Sequence, residues 1–268
     1  MHTITVANRK GGVGKSSVTT HLAAALGIRG ARVLVIDMDS QASSSAMLLD
    51  ALADDAPTTT QLLLGEARLP EIIQPSTRDR VDVAPACSEL TRAQFAIAGK
   101  TGRETILRRG LREIGPYDVV LIDTAPELQL ATLNALVAAT HVLLPFTPDP
   151  KALEGLQTTT EAVAEIVAAE LAHPRILGCV QVAYDRRLGV TEQSRDQVRG
   201  AYGELLLDTR IRANSSFIVC PAWHRDIFAM ERQDRQRGRG SDDFLALADE
   251  VATRLDLRPT ATSHATAA

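Results

Sequence analysis

Eight residues constrain this chain more than any others: Lys10-Gly11-Gly12-Val13-Gly14-Lys15-Ser16-Ser17, directly after the short apolar run Ile4-Thr5-Val6-Ala7. A glycine-rich turn between a buried strand and a helix converges backbone N–H groups on one point, with the positive end of the helix dipole behind them, and so makes an anion cradle. Gly14-Lys15-Ser16 closes the phosphate-loop pattern G-x-x-x-x-G-K-[ST], in which the lysine reaches the β/γ-phosphates and the hydroxyl holds Mg²⁺. Gly11, Gly12, Val13, Gly14, Lys15, Ser16 and Ser17 are therefore the expected phosphate contacts. The first glycine of the pattern is replaced by Arg9, and a second lysine, Lys10, stands at the front of the loop. Lys10 has no obvious path back onto its own loop's phosphates. Either it is solvated, or it serves a neighbouring subunit's nucleotide as an arginine finger does in other hydrolases.

Three further apolar runs resemble strands that end in acids or turns. Arg32 to Asp37 is β-branched, as expected of a strand covered on both faces of a parallel sheet. Asp118 to Asp123 repeats the pattern and His141 to Pro145 follows, with Val81 to Pro85 a shorter candidate. Helical spacing marks Val18, Leu22 and Leu26 (ended by Gly30), Ile106 to Ile114 (stopped by Gly115-Pro116), Leu130 to Val137, Lys151 to Leu171, Glu192 to Leu206 and Phe244 to Leu255. Ile176 to Ala183 reads as one more strand, and Ser40 to Pro75 as loops and short helices. Strands alternating with helices predict an α/β fold: a mostly parallel twisted sheet with helices on both faces and ligands beyond the strands' carboxyl ends. With 268 residues, 45% of them hydrophobic, residues 1–257 are expected to form one domain. The Thr/Ala-rich stretch 258–268 is expected to be a disordered tail.

The loop and the three aspartates all lie at strand ends, so they converge. Asp123 is placed as a Mg²⁺ carboxylate, or as an ordinary cap of the following turn. Asp37 and Asp39, two apart on a strand, share a face. One would touch the metal shell and the other the attacking water, unless one of them only caps a helix starting near Ser40. Ser16, Asp39 and Asp123 are thus the expected metal shell, with Lys10, Lys15 and Asp39 the expected catalytic groups. Phosphoryl transfer asks for positioning and charge neutralisation more than for covalent chemistry, and these groups supply both.

This constellation resembles the deviant Walker A motif of the ParA/MinD family of ATPases. The likeness continues through Val35-Ile36-Asp37-Met38-Asp39-Ser40-Gln41, Leu121-Ile122-Asp123-Thr124-Ala125-Pro126 with Leu133-Asn134-Ala135-Leu136, and Ala152-Leu153-Glu154-Gly155-Leu156, and resumes over Ile211 to Ile227 and Ser241 to Leu255. The resemblance implies a P-loop NTPase fold, ATP and Mg²⁺ as ligands, and an ATP-sandwiched homodimer in which Lys10 crosses to the partner's phosphates. It implies slow ATP hydrolysis with Asp39 as the hydrolysis aspartate and Asp123 at the Walker B position. A ParB-like or other cargo adaptor would stimulate turnover. The chain departs from the family pattern in four places. Ser40 replaces proline and Ala42-Ser43 replaces Gly-Asn. In Ile211-Arg212-Ala213-Asn214-Ser215-Ser216, Arg212 occupies a proline position near the adenine, where it is an expected nucleotide contact, and an arginine that the family associates with DNA binding is lost. Between Phe228 and Phe244 the chain is a few residues longer and carries Arg232, Arg235, Arg237 and Arg239.

Between Arg186 and Gly240 lie eleven arginines and no lysine against seven acids, in a chain whose net charge is −4. Arg186, Arg187, Arg195 and Arg199 are the expected DNA contacts, since Arg195 and Arg199, four apart on a helix, share a face. The alternative is a solvated basic surface interleaved with acids. Aromatic residues are only 3% of the chain, which disfavours base stacking. Non-specific duplex DNA is therefore the expected nucleic-acid partner, held through phosphates in a salt-dependent way. No apolar run approaches the roughly 20 residues that span a bilayer. The three cysteines, Cys87, Cys179 and Cys220, form no C-x-x-C pair. A cytoplasmic protein, nucleoid-associated when ATP-bound, is expected. A MinD-like switch without DNA binding and a small-molecule kinase or ligase on the same loop are the competing readings.

Overall fold

The computed structural model describes residues 1–233 and 239–257. The expected tail, 258–268, and Arg235 and Arg237 of the arginine-rich segment lie outside the described residues. Eight strands form one sheet: β1 (His2–Val6), β2 (Val33–Met38), β3 (Gln74–Pro75), β4 (Val81–Ala84), β5 (Val119–Thr124), β6 (His141–Phe146), β7 (Arg175–Tyr184) and β8 (Leu206–Arg212). Their order is β3-β4-β2-β5-β1-β6-β7-β8. Every pairing is parallel except the short β3 against β4.

The period-2 alternation of strands assigns each face its own core. Ile4, Val6, Val33, Val35, Val119 and Leu121 pack under the helices Lys15–Ile28 and Arg239–Arg254, where Leu22, Leu26, Phe244, Leu247 and Val251 are buried. On the other face, Leu34, Ile36, Val120 and Ile122 meet the helices Leu90–Ile97 and Leu130–Ala138. Further along that face, Val142, Leu144 and Phe146 meet the helix Ala152–Ala168. Because β1 lies between β5 and β6 and β5 lies beside β2, the ends of β1, β2 and β5 adjoin at the middle of the carboxyl edge.

Two elements differ from the sequence reading. The helix expected over Glu192 to Leu206 is Gly189–Tyr202, and Leu206 instead begins β8. That strand is the far edge of the sheet, and its middle, Asp208, Thr209 and Arg210, is polar and at least partly exposed, so it carries no apolar run to read. The helix Ile106–Gly110 stops short of the predicted Gly115-Pro116. It ends at Gly110, whose Cα closely approaches Leu69: a Cβ there would lie 3.1 Å from the leucine's own.

Candidate active site

The loop leaves β1 and turns through two left-handed glycines, Gly12 at φ 72° and Gly14 at φ 75°, a conformation that costs other residues. Its front is pinned by Asn8, whose Nδ2 donates to Pro145 O at 2.8 Å and whose Oδ1 accepts from Lys10 N at 2.8 Å. Arg9 N donates to Thr159 Oγ1 at 3.0 Å. The helix bearing Thr159 approaches so closely that a Cβ at Gly155 would sit 2.8 Å from Asn8 Oδ1. Gly155 is therefore a spacing requirement of the loop. Asn8 and Thr159 are positioning residues the sequence reading missed, and no motif signals them.

The two lysines have different surroundings. Lys15 is only 6% exposed and its Nζ lies 3.4 Å from Lys10 O, inside the loop. Burial pulls its pKa down, opposed by the nearby charges of Asp123, Asp39 and Glu127. Lys10 points outward and pairs with Asp149 at 2.8 Å, in the turn after β6, with both side chains partly exposed. Val13 is buried behind the loop, and Ser16 and Ser17 occupy the first turn of the helix Lys15–Ile28.

Asp37 and Asp123 are register partners on adjacent parallel strands, and both are fully buried. Burial, with Asp123 alongside, pushes the Asp37 carboxyl well above the usual carboxylate range. Burial also raises Asp123, against hydrogen bonds from Ser44 and Ser16 and the pull of Lys15. Hydroxyls hold the pair. Ser45 donates to Asp37 Oδ2 from Oγ at 2.7 Å and from its backbone N at 2.9 Å, while Ser44 Oγ donates to Asp123 Oδ2 at 2.7 Å. Ser44 and Ser45, in a stretch the sequence reading left as loops and short helices, thus hold both carboxylates in place.

Asp39 lies one residue beyond the end of β2. Its backbone N donates to Asp37 Oδ1 at 3.1 Å, and its own Oδ1 accepts from Gln41 N at 3.0 Å. It is 8% exposed and opens into a pocket of about 200 Å³ with Gln41, Glu127 and Thr132. Asp37 is a structural anchor under Ser45, and Asp39 is the carboxylate that faces the pocket.

Ser16 and Asp123, with Asp39 nearby, offer one hydroxyl and hard carboxylate oxygens. No group of three or more His, Cys, Asp or Glu able to hold a metal forms among the described residues. This donor set fits Mg²⁺, which keeps waters and substrate phosphates as ligands and does not need a protein cage. Bound there, the ion would neutralise charge on the phosphate oxygens.

Along β7 the sheet passes beside the loop, since a Cβ at Gly14 would lie 3.7 Å from Val182 Cγ2. Two residues further, a cavity of about 500 Å³ opens at the ends of β7 and β8, lined in part by Tyr184, Arg186, Arg187, Arg212, Asn214 and Arg239. Arg212 is fixed there by Asp243, which accepts from its Nε at 2.9 and 3.0 Å, from its Nη2 and from its backbone N at 2.9 Å.

The expected DNA arginines do not form one face. Arg195 is 2% exposed: the helix Gly189–Tyr202 buries Thr191, Ser194, Arg195 and Val198 as one stripe, and Arg195 Nη2 donates to Leu207 O at 2.8 Å. The i, i+4 spacing joined it to Arg199, but the inner stripe of the helix claims it. Arg199 is exposed and lies 3.5 Å from Asp196, and Arg187 is exposed and paired with Asp185 at 2.6 Å. Arg186 is exposed at the cavity mouth.

Comparison with known proteins gives this geometry a family. A family model described as an AAA domain matches residues 1–173. The chain is 30% identical over 252 residues to a chromosome partitioning protein ParA of Myxococcus xanthus, covering 94% of this chain and 88% of that one. It is 31% identical over 250 residues to the sporulation initiation inhibitor protein Soj of Bacillus subtilis, covering 93% and 97%. A solved structure of cobyrinic acid a,c-diamide synthase from Mycobacterium smegmatis, with bound ADP and magnesium, superposes with a TM-score of 0.80 at 25% identity over 96% of each chain. With the loop, the paired strand-end aspartates and the parallel sheet in place, the chain belongs to the ParA/MinD family of P-loop ATPases.

Proposed function

We propose that the protein is an ATP-driven partition or positioning switch. Two copies dimerise around Mg-ATP, the dimer binds duplex DNA without sequence preference, and hydrolysis stimulated by a ParB-like or other cargo adaptor releases it. In this reading Lys15 and the backbone of Gly11 to Ser17 hold the β- and γ-phosphates, Ser16 and Asp123 hold Mg²⁺, and Asp39 orients the attacking water. The base lies in the β7–β8 cavity against Arg212. The cycle runs in the cytoplasm, with the ATP-bound form on the nucleoid.

One observation supports dimerisation most directly. Lys15 is enclosed by its own loop, whereas Lys10 faces outward in a solvent-accessible ion pair with Asp149. An exposed pair of this kind is worth at most about 1 kcal/mol, so Lys10 exchanges Asp149 for a partner's phosphates at little cost.

Sedimentation and DNA retention without nucleotide, with ADP and with ATP test the reading. A dimer that retains DNA only with ATP is the expected outcome. An ATP-dependent dimer that ignores DNA would leave a MinD-like positioning switch. A monomer indifferent to DNA in every state would overturn the proposal in favour of a small-molecule kinase or ligase. That second reading draws on the Mycobacterium smegmatis synthase, which holds ADP and magnesium on the same fold.

A further inference from the structure

The loop after β5 carries a carboxylate with no role in the reading above. Glu127 lies four residues past Asp123 and lines the same pocket of about 200 Å³ as Asp39. Its backbone is firmly held. Thr132 Oγ1 donates to Glu127 O at 2.8 Å, and Gln94 bridges to Gln129 at 3.1 Å while accepting from Ala131 N at 2.8 Å. Its carboxylate, by contrast, is exposed and makes no hydrogen bond or ion pair among the described residues. Its charge lies close enough to favour the Lys15 ammonium.

A water attacking phosphorus in line directs a lone pair at the target, so both of its hydrogens point away and each is steadied by an acceptor. Asp39 Oδ1 accepts from Gln41 N, while Oδ2 takes no hydrogen bond from the chain among the described residues. Asp39 and Glu127 are the two acidic side chains on that pocket's wall. We propose that Glu127 is a further catalytic residue of ATP hydrolysis, the second acceptor that, with Asp39, holds the attacking water in line. As the water oxygen bonds to the γ-phosphorus, the bond from that phosphorus to the bridging oxygen breaks and its electron pair leaves on ADP. The proton lost by the water passes to a carboxylate and from there to the released phosphate. The placement rests on the proposed hydrolysis of ATP at this loop.

A carboxylate beside a triphosphate opposes ATP binding, so removing its charge separates turnover from affinity. In E127Q and E127A, kcat falls about tenfold, the order expected for one lost transition-state hydrogen bond, while ATP affinity is unchanged or tighter. The ATP-loaded dimer then persists longer in sedimentation than the unsubstituted protein's, as slower hydrolysis requires, while the difference between the two proteins disappears with a non-hydrolysable ATP analogue. Combined with Asp39→Ala, the loss is less than additive because both groups hold one water. Turnover equal to that of the unsubstituted protein would overturn the proposal. So would a rate loss accompanied by equal losses of ATP affinity and thermal stability, which marks a structural role. If the unsubstituted protein itself fails to hydrolyse ATP, the functional reading falls and this proposal with it. If it hydrolyses ATP and E127Q keeps pace, this proposal alone falls.

Discussion

The two halves of the sheet's carboxyl edge handle charge in opposite ways. At the ends of β2 and β5, Asp37 and Asp123 are buried side by side and held by serine hydroxyls. At the ends of β7 and β8, arginines already have a negative neighbour: Arg187 has Asp185, Arg210 has Glu192 at 2.5 Å, and Arg212 has Asp243. Like charges side by side are costly in a low dielectric and Lys15 offsets them only in part, so a cation arriving with the ligand suits the first half. Charge in the second half is largely balanced within the chain. On the proposed DNA binding, duplex phosphates would have to outcompete these acids for the arginines.

The largest effect expected comes from treating an arginine of the helix that joins β7 to β8 as if it belonged to a surface. Arg195→Glu replaces a buried guanidinium bonded to Leu207 O with a buried carboxylate facing carbonyls, and is expected to destabilise the fold by about 3–5 kcal/mol. Arg199→Glu, on the exposed side of the same helix, leaves stability within about 0.5 kcal/mol and lowers the salt slope of ATP-dependent DNA binding by about 1. Denaturant titration and salt-dependent DNA retention check the pair. Equal stability of the two variants would show that the helix faces had been misassigned.

In the first half, the corresponding test is Lys15→Ala. It removes the cation that faces Asp123 and Asp39, and ATP affinity should drop by about 3 kcal/mol, more than a hundredfold, with thermal stability little changed. Equilibrium ATP binding decides it, and an affinity within threefold of the unsubstituted protein's would remove the phosphate site from this loop.

A third prediction concerns the seam between the loop helix and the C-terminal segment. His21 is fully buried, edge-on to Phe244 at 5.0 Å and tilted against Phe217 at 5.3 Å between ring centroids, and burial pushes its pKa down to about 3. The unfolded chain binds a proton below about pH 6.5 that the folded chain refuses until about pH 3, so stability falls as pH drops through that window, by about 1.4 kcal/mol per unit. His21→Phe, which suits the aromatic cluster, removes that slope. Parallel melting curves at pH 7 and pH 5 measure it, and an unchanged slope in the variant would place the acid sensitivity elsewhere.

How much was legible in the sequence follows the same division. Strands β1, β2, β5 and β6 are covered on both faces and so read as apolar runs, and the loop announces itself by its glycines and lysine. The edge strand β8 shows only Leu206, Leu207 and Ile211 as apolar positions and did not read as a strand. Arg195 misled because helical spacing says which residues share a face, not which way that face looks. The serines that hold Asp37 and Asp123 were invisible because their partners lie on other strands, 8 and 79 residues away in sequence.

The smallest expected effect lies between the halves, in the turn that carries Asp39. The family pattern has glycine where this chain has Ala42, and Ala42 nonetheless adopts the left-handed conformation, φ 51° and ψ 34°, at the start of the helix Ser43–Leu48. Its N–H donates to Asp39 O at 2.9 Å, and its carbonyl accepts from Ala46 N at 2.9 Å, so the conformation is fixed from both sides. A left-handed alanine costs about 1–2 kcal/mol, and glycine relieves that strain while giving back part of it as unfolded-chain entropy. Ala42→Gly should therefore stabilise the protein by about 0.5 kcal/mol and raise Tm by about 1–2 °C. The same substitution loosens the turn, so the sharper reading comes from measuring both Tm and ATP turnover. A higher Tm with unchanged turnover means that the strain is incidental. A higher Tm with slower turnover means that the strained alanine keeps Asp39 aimed into its pocket, and a lower Tm would show that the left-handed turn carries no strain to relieve.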